Sequence, residues 1–539
     1  MSIGEQNQKI SWGGYLSGGK AMKGISQPNA SEAVRPLANY FRKDPWIWVT
    51  VVIIGLLRVV LAGRYDVFRN ELYFIVCGRH LDFGFVDQPP LVPFLAAMTQ
   101  LLSDNVWLLR LPAVLAAVAL VPLTGSFSKL LGGNGTSAWM AGLSAGIAPG
   151  LVALTTTLGT STFEPIAWTG FAYLLTLAIL KEDRRALVWA GLLAGVASEA
   201  KYGIALWVIA LGAGVALTFG RRIFAWGELW LAILVGAIVA APSLVWQSLH
   251  EWPFLSVHTR HLATGANLTG TPVHFASIQI LEMNVLLCPL WVTGALAPFV
   301  WARLRSARFL SLGFIVVAIS LYAAHGKDYY LFPVYPTMFG VGAVAWAEFA
   351  SWLRNTWMAG ATVVSVILAP ITLPLLDPPS LARYLEWTHL APPPEEVAAV
   401  GAPLTQIFSD ELGWRALEKQ VAQVCHSLPP EERAHAAILA INYGEAAALE
   451  VYGREDGLPP VLCGQNQYFL WGDHGADETV IIHVNGDPAR WHQACESVEI
   501  AGKFGAPYVM PYENDRPIFI CRGLHRPLSA IWSRLRRYE

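Results

Sequence analysis

The chain has 539 residues, of which 54% are hydrophobic and only 14% are charged, and its mean hydropathy is +0.43. This composition is too apolar for an ordinary soluble enzyme and is typical of a membrane protein. The formal net charge of -2 excludes a global basic field, so we expect no nucleic acid partner.

The acidic residues divide the chain into three parts. Three carboxylates lie in residues 1–45, 14 in residues 46–376 and 22 in residues 377–539. We therefore predict a disordered cytoplasmic head, a lipid-embedded body and a water-soluble domain with these boundaries. The head lacks the short apolar core and the cleavage site of a secretory signal.

Apolar runs that could cross a membrane recur along the body. A helix needs about 20 residues to span about 30 Å of hydrocarbon. We count about eleven runs, at Trp46–Ala62, Val106–Gly125, Ala138–Leu154, Pro165–Leu180, Ala186–Ser198, Ile204–Gly220, Phe224–Trp246, Ile278–Trp301, Phe309–Ala323, Leu331–Phe349 and Trp357–Leu376. Lysine and arginine mark alternate loops, and the positive-inside rule then places the N-terminus in the cytoplasm and residues 377–539 on the outer face.

Two outward loops are unusually long, at residues 63–105 and 247–277. Loops of this length in a compact body are usually functional or fold into interfacial helices. The stretch Leu91–Leu102 is apolar but too short to span, which predicts a helix lying in the membrane interface. Ten of the 14 carboxylates of the body face outward on this topology, so we expect any chemistry on the outer face.

The last part of the chain alternates β-rich runs with helical patterns, which predicts a small α/β domain. The predicted strands are Leu404–Ser409, Ala436–Ile441, Val480–Val484 and Pro517–Cys521. Four cysteines fall here, in an oxidising compartment on this topology, and they allow three pairings. We favour a disulfide between Cys495 and Cys521.

The first long loop carries Glu71 and Asp87 shortly after the first span. Carboxylates there can act as general base on an acceptor hydroxyl or hold a divalent cation near a phosphate. They can equally be solvated loop charges or partners of Arg69 and Arg79. The diproline after Asp87 fixes an extended entry to the interfacial helix and so immobilises this carboxylate.

In combination, six segments resemble the polyprenyl-phosphate-sugar-dependent glycosyltransferases of the GT-C fold, in the bacterial protein O-mannosyltransferase and aminoarabinose transferase superfamily. They are RNELYFIVCGRHLDFGFVDQPPL from Arg69, STFEPIAW from Ser161, ASEAKYG ending at Gly203, PSLVWQSLHEWPF from Pro242, GKDYYLFPVYP from Gly326 and NYGEAAALEVYG from Asn442. The resemblance implies an α-helical polytopic fold and an inverting sugar transfer at the outer face of the inner membrane. The donor would be a polyprenyl-phosphate sugar, and the acceptor a lipid, glycan or protein hydroxyl.

The resemblance also assigns roles to acidic residues. The family's loop usually has Asp-Glu where this chain has Asn70-Glu71, and the family's aspartate is credited as the base. An asparagine cannot accept a proton, so either Glu71 or Asp87 is the base, or the acceptor differs, or the chain is impaired. We predict Glu71. Glu164 matches a second acidic site that orients the acceptor or the base, although a glutamate at a helix start can simply favour the helix dipole.

A divalent metal ion is the one cofactor that the resemblance allows. Asp87 matches an acidic position that can bind such an ion in relatives, and His258 in the second long loop is a candidate for a further ligand. The alternative for Asp87 is a carboxylate at a helix entry.

The donor phosphate is expected to meet cations on the outer side. Lysines there oppose the inward bias, and those of this chain are each followed by tyrosine. They can snorkel harmlessly or bind phosphate, and the match to the family favours phosphate. The predicted phosphate-binding residues are Lys201, Tyr202, Lys327, Tyr330 and Arg79.

Two other function classes compete with a glycosyltransferase. A secondary transporter or lipid flippase would carry ionisable residues near the bilayer midplane and repeat symmetry, whereas the charges here crowd at outward ends and no repeat is visible. A catalytically silent scaffold of the cell envelope remains an alternative, because Asn70 stands where the family has the aspartate credited as the base. A scaffold should tolerate mutation of Glu71.

Overall fold

The computed structural model describes residues 44–264, 270–394, 397–473 and 479–539. The predicted cytoplasmic head lies outside the described residues, apart from its last two positions.

The body is built almost entirely of helices. In chain order they are α1 Pro45–Leu61, α2 Arg69–Arg79, α3 Leu91–Gln100, α4 Val106–Leu130, α5 Gly135–Ile147, α6 Pro149–Leu154, α7 Glu164–Leu180, α8 Arg185–Ser198, α9 Ile204–Phe219, α10 Gly227–Leu249, α11 Pro253–Thr264, α12 Pro272–Glu282, α13 Cys288–Val300, α14 Arg308–Ala323, α15 Tyr335–Trp346 and α16 Ser351–Thr372. Each of the eleven predicted apolar runs overlaps at least one of these helices.

Six helical stretches among the described residues are long and apolar enough to cross a membrane. They are Val106–Leu130, Thr160–Leu180, Ile204–Ala225, Gly227–Leu249, Ala302–Ala323 and Ser351–Thr372, and shorter apolar helices include α1, α8 and α13. Large aliphatic side chains stand exposed along α10, such as Ile233, Leu234 and Ile238. Such a surface is stable against lipid but not against water, so the chain is a multi-pass membrane protein.

Three predicted runs are interrupted, each for a local reason. Run 138–154 breaks at Pro149, which cannot donate a backbone hydrogen bond. Run 278–301 breaks between α12 and α13 at Asn284, which has φ +73° and donates its side-chain amide to the carbonyl of Ala361 at 2.8 Å. Run 331–349 begins as a short 3-10 turn through Pro333 before α15. The helix predicted at Leu91–Leu102 is present as α3, and its position in the membrane interface stays a prediction.

The C-terminal domain is a five-stranded mixed sheet with helices around it. The strands are β1 Ala436–Ala440, β2 Val461–Cys463, β3 Val480–Val484, β4 Cys495–Phe504 and β5 Arg516–Leu524. Their order is β2-β1-β3-β5-β4, with β2, β1 and β3 parallel and the remaining pairs antiparallel. The helices are α17 Pro378–Thr388, α18 Gln406–Ser409, α19 Trp414–Ser427, α20 Pro430–Ala434, α21 Tyr443–Tyr452, α22 Asn466–Trp471, α23 Pro488–Trp491 and α24 Leu528–Leu535.

The sequence located three of these strands correctly. The predicted strand at 404–409 is wrong, because this stretch forms the short helix α18, with Phe408 buried against Tyr65. Strands β2 and β4 were not predicted. The favoured disulfide between Cys495 and Cys521 is present and joins β4 to β5.

The C-terminal domain packs on the first long loop through a shared apolar core. Leu72 and Val76 of α2 lie in this core with Ala447 of α21 and Ile438 of β1. The carboxyl ends of β1 and β2 face the loop, because Tyr443 and Asn466, which follow them, hydrogen-bond to residues of the loop.

Candidate active site

Polar side chains follow each of the three parallel strands at the edge that faces the first long loop. Asn442 follows β1, Gln465 and Asn466 follow β2, and Asn485 follows β3. In open α/β sheets ligands bind outside the carboxyl ends of the strands. Here the residues after β1 and β2 contact the loop that contains Asn70, Glu71 and Asp87.

Asp87 is partly exposed and held at both carboxylate oxygens. The Tyr73 hydroxyl donates to Oδ1 at 3.0 Å, and the Asn466 amide donates to Oδ2 at 3.1 Å. Burial raises the pKa of Asp87 to about 6, although both hydrogen bonds favour the charged form and act in the opposite direction. Each oxygen keeps a further lone pair, so the carboxylate can still accept a proton.

Asn70 makes contact with the same edge of the sheet. The hydroxyl of Tyr443, at the start of α21, donates to Oδ1 of Asn70 at 2.9 Å. The ring of Tyr443 also packs against Tyr73, with centroids 4.7 Å apart. Asn70 is thus connected to Asp87 through Tyr443 and Tyr73, and its amide oxygen already accepts one hydrogen bond.

Glu71 lies in a closed ionic cluster. The guanidinium of Arg110, on α4, contacts both Glu71 oxygens at 2.8 to 3.2 Å and also bonds Glu411 at 3.0 Å. The backbone amides of Leu158 and Phe68 donate to the two Glu71 oxygens at 2.7 and 2.9 Å. Glu71, Arg110 and Glu411 are all fully buried.

This arrangement argues against the predicted role of Glu71 as base. A carboxylate that is 0% exposed and saturated by four donors has no path to an acceptor hydroxyl, and protonating it would break a buried ion pair. Burial, together with the neighbouring charge of Glu71, raises the pKa of Glu411 to about 8, because one guanidinium must serve two carboxyl groups. The cluster joins α4, the first long loop and the C-terminal domain.

Glu164 and Lys201 form the second polar group near the loop. The ammonium of Lys201 lies 2.9 Å from Glu164 Oε2 and 2.8 Å from the Ser161 hydroxyl. Glu164 also begins α7, as the helix-dipole alternative requires. Phe163 and Ala200 line a small pocket with Glu164 and Lys201, and both also pack in the apolar core that contains Leu72 and Val76.

Two of the other predicted phosphate-binding residues gather around Lys201. Its ammonium lies 4.3 Å from the ring centroid of Tyr330 and 5.7 Å from that of Tyr329. The Lys327 ammonium is 5.8 Å from the ring centroid of Tyr329. Two ammonium groups thus lie near one pair of tyrosines, and an ammonium group can bind a phosphate.

Tyr202 and Arg79 make different contacts. The Tyr202 ring packs edge-on against Phe254 of α11, with centroids 5.0 Å apart. Arg79, at the end of α2, donates to the carbonyl of Glu450 in the C-terminal domain at 3.3 Å. These contacts place neither side chain with the pair of lysines.

His258 is exposed on α11. Within the described ranges, no three His, Cys, Asp or Glu side chains gather as a metal-ligand set. The metal at Asp87 and His258 therefore stays a prediction, and no chemical step below depends on one.

Sequence reasoning missed Tyr73, Asn466, Arg110 and Glu411. One signal was available: Arg110 is a charge inside the apolar run of α4, and such a residue requires a partner. No comparable signal marks Asn466, which meets Asp87 across 379 residues of chain.

The comparisons with known proteins match this architecture. A family described as dolichyl-phosphate-mannose-protein mannosyltransferase matches residues 87–246, a range that starts at Asp87 and includes Glu164 and Lys201. Lipid A galacturonosyltransferase RgtD from Rhizobium johnstonii is 26% identical over 320 residues, which are 57% of this chain and 66% of that protein. The match thus spans just under two thirds of the curated relative.

Two solved structures share the fold along nearly their whole length. ArnT from Cupriavidus metallidurans bound to undecaprenyl phosphate has a TM-score of 0.59 at 12% identity, covering 89% of this chain and 98% of that one. The apo form of the same protein has a TM-score of 0.60 at 12% identity, with 88% and 97% covered. The predicted resemblance to ArnT-like proteins of the GT-C fold is confirmed.

Proposed function

Because the chain has the ArnT-like GT-C fold, we propose that it is a membrane glycosyltransferase that moves a sugar from a polyprenyl-phosphate donor to a hydroxyl group. The observation that carries this proposal is Asp87, a partly exposed carboxylate with a pKa of about 6 at the edge of the sheet. A general base works best when its pKa lies near the operating pH.

The relatives support the kind of substrate. ArnT has been crystallised with undecaprenyl phosphate, and the name of RgtD assigns it a uronic sugar and lipid A. We therefore favour a polyprenyl-phosphate sugar as donor and a lipid hydroxyl as acceptor over a glycan or a protein hydroxyl. Transfer from a panel of donors would show whether the sugar is hexosyl or pentosyl.

The proposed site lies on the outer face of the inner membrane, with the N-terminus in the cytoplasm. The positive-inside pattern of the loops favours this orientation. The Cys495–Cys521 disulfide favours it too, because disulfides persist in oxidising compartments.

In the proposed step, an acceptor oxygen attacks the anomeric carbon of the donor sugar. Asp87 takes the proton of that hydroxyl as the new carbon–oxygen bond forms. The bond from the anomeric carbon to the phosphate oxygen breaks on the opposite face, its electron pair leaves with the polyprenyl phosphate, and the configuration inverts.

The leaving phosphate gains negative charge, which needs a cation that is already in place. Lys201 and Lys327 supply it, with Tyr330 between membrane and water as a hydroxyl donor. Glu164 keeps the Lys201 ammonium oriented before the donor arrives, through the contact at 2.9 Å. An asparagine cannot accept a proton, and Asn70 Oδ1 already accepts a hydrogen bond from Tyr443. We therefore assign Asn70 to binding rather than to base chemistry.

The test is transfer of radiolabelled sugar from a panel of polyprenyl-phosphate sugars, by purified protein in lipid with envelope extract as acceptor. We expect transfer by the wild type, loss with Asp87→Asn, and retained activity per folded molecule with Glu71→Gln. Asp104→Asn is the matched control, since Asp104 is an exposed carboxylate of the same loop. Loss with Glu71→Gln alone, in folded protein, would return the role of base to Glu71.

Two further outcomes would change the function itself. If the wild type is inert and Asn70→Asp gains transfer, the chain is an impaired member of the fold. If no variant transfers any sugar, the transporter and scaffold hypotheses replace the proposed function.

A further inference from the structure

The C-terminal domain reaches Asp87 and its surroundings through two consecutive residues after β2, Asn466 and Gln467. Asn466 donates to Asp87 Oδ2 at 3.1 Å. The backbone amide of Gln467 donates to the Tyr73 hydroxyl at 3.1 Å, and its side-chain oxygen accepts from the amide of Val86 at 3.1 Å. This segment of the C-terminal domain therefore contacts three residues of the first long loop, which are Asp87, Val86 and Tyr73.

The amide of Asn466 can take only one orientation. Its Oδ1 accepts from the backbone amide of Glu539 at 2.9 Å, and its Nδ2 donates to the carbonyl of Glu539 at 2.8 Å. A backbone amide can only donate, so Oδ1 must face it. The remaining hydrogen on Nδ2 is then directed at Asp87.

The same logic fixes the proton of Tyr73. Its hydroxyl accepts from the amide of Gln467, so its single hydrogen is free to be donated to Asp87 Oδ1. Both donors to the carboxylate are thus set by the segment after β2. Each donor bonds one carboxylate oxygen, and each oxygen keeps a further lone pair.

The conformation of Asn466 is itself costly. Asn466 has φ +48° and is 0% exposed, a left-handed backbone that asparagine tolerates better than most residues. It is held there by a backbone hydrogen bond from its own amide to the carbonyl of Arg537 at 2.9 Å. A strained and buried residue that points a donor at a reactive group is characteristic of a functional site.

We propose that Asn466 is a positioning residue for Asp87, so that the C-terminal domain completes the catalytic site of the membrane body. This rests on the proposed function, in which Asp87 accepts the acceptor's proton. The domain would then contribute to the chemical step rather than only to binding or assembly.

The test compares kcat and KM for the donor in Asn466→Gly and Asn466→Asp. Glycine keeps the left-handed backbone without the donor, and aspartate keeps the shape and replaces the donor with an acceptor. We expect kcat to fall about ten- to hundredfold in both, because a displaced base loses its geometry, while KM for the donor stays within about twofold. Asn485→Gly is the matched control, since Asn485 has φ +57° at the same edge but bonds Glu445.

A second experiment separates positioning from folding. In an Asp87→Asn background, Asn466→Gly should leave the residual transfer unchanged, because the group that it positions is gone. A further drop in that background, or a loss confined to KM, would overturn the inference while leaving the proposed function intact. Full activity of Asp87→Asn overturns the role of Asp87 and the inference together, and so does an inert wild type.

Discussion

Two carboxylates of the first long loop, Glu71 and Asp87, end in opposite surroundings. Glu71 is fully buried and saturated by Arg110 and two backbone amides. Asp87 is partly exposed and held by two neutral donors, each of which leaves a lone pair open. The first arrangement stabilises contact between domains, and the second suits proton transfer. The number of charged partners distinguishes the two roles better than the position in the loop.

The largest expected effect is on the Glu71 side of this comparison. Arg110→Ala would leave two carboxyl groups buried without their cation, which costs about 3–5 kcal/mol in comparable sites. We expect a large loss of folded protein, measured by thermal unfolding in detergent. Arg303→Ala is the control, because its ion pair with Glu348 is exposed and should contribute little. Equal melting temperatures for both variants would contradict the structural role of the Arg110 cluster.

The second prediction compares the neutral variants of the two carboxylates. Asp87→Asn should lower transfer by about 10²–10⁴-fold, the usual contribution of a general base. The melting temperature should fall only slightly, because the amide oxygen still accepts from one of the two donors and a single hydrogen bond is lost. Glu71→Gln should leave transfer per folded molecule unchanged and should lower the free energy of unfolding by roughly 1–3 kcal/mol. Transfer rates and unfolding curves on the same preparations decide it. The comparison fails if the two variants behave alike.

The third prediction concerns the phosphate group of residues. The double variant Lys201→Met with Glu164→Gln removes the cation without leaving a buried carboxylate unpaired. We expect kcat/KM for the donor to fall about ten- to hundredfold, since a hydrogen bond to a charged group contributes about 1.5–3 kcal/mol. Lys129→Met with Asp44→Asn is a matched control, because this ion pair lies away from the loop. Unchanged kcat/KM would remove Lys201 from the phosphate site.

The smallest expected effect is on pH dependence. A carboxyl group with a pKa of about 6 is protonated below that pH and cannot accept a proton, so transfer should rise with pH through about 6. The Tyr73 hydroxyl stabilises the charged form, so Tyr73→Phe should move this midpoint upward, by roughly half to one pH unit. A pH–rate profile of both proteins measures the shift. A midpoint that moves downward would contradict the contact between Tyr73 and Asp87.

Local pattern predicted the local features well. The apolar runs located the long apolar helices of the body, Leu91–Leu102 located α3, and β-rich runs located β1, β3 and β5. The strand predicted at 404–409 failed because its apolar residues serve a packing contact with Tyr65 instead of a ladder. Strand β2 has only three residues, too few for any period to be seen.

The burial of Glu71 in an ionic cluster could not be predicted, because its partners are remote. Arg110 is 39 residues away, and Glu411 lies 301 residues beyond Arg110. Sequence places Glu71 and Asp87 equally close to the membrane, and only the fold shows which one is enclosed. The same holds for Asn466, whose contact with Asp87 depends on how the C-terminal domain packs.

The position of the three clustered residues along the chain also sets the order in which they can meet during synthesis. Glu71 and Arg110 leave the ribosome about 300 residues ahead of Glu411, so both partners of the first ion pair are made before the residue that completes the cluster. Glu411 then adds a third charge, which its raised pKa allows it to neutralise by taking up a proton. The cluster can therefore be completed only after the C-terminal domain has been synthesised, which makes this contact a late step in biogenesis.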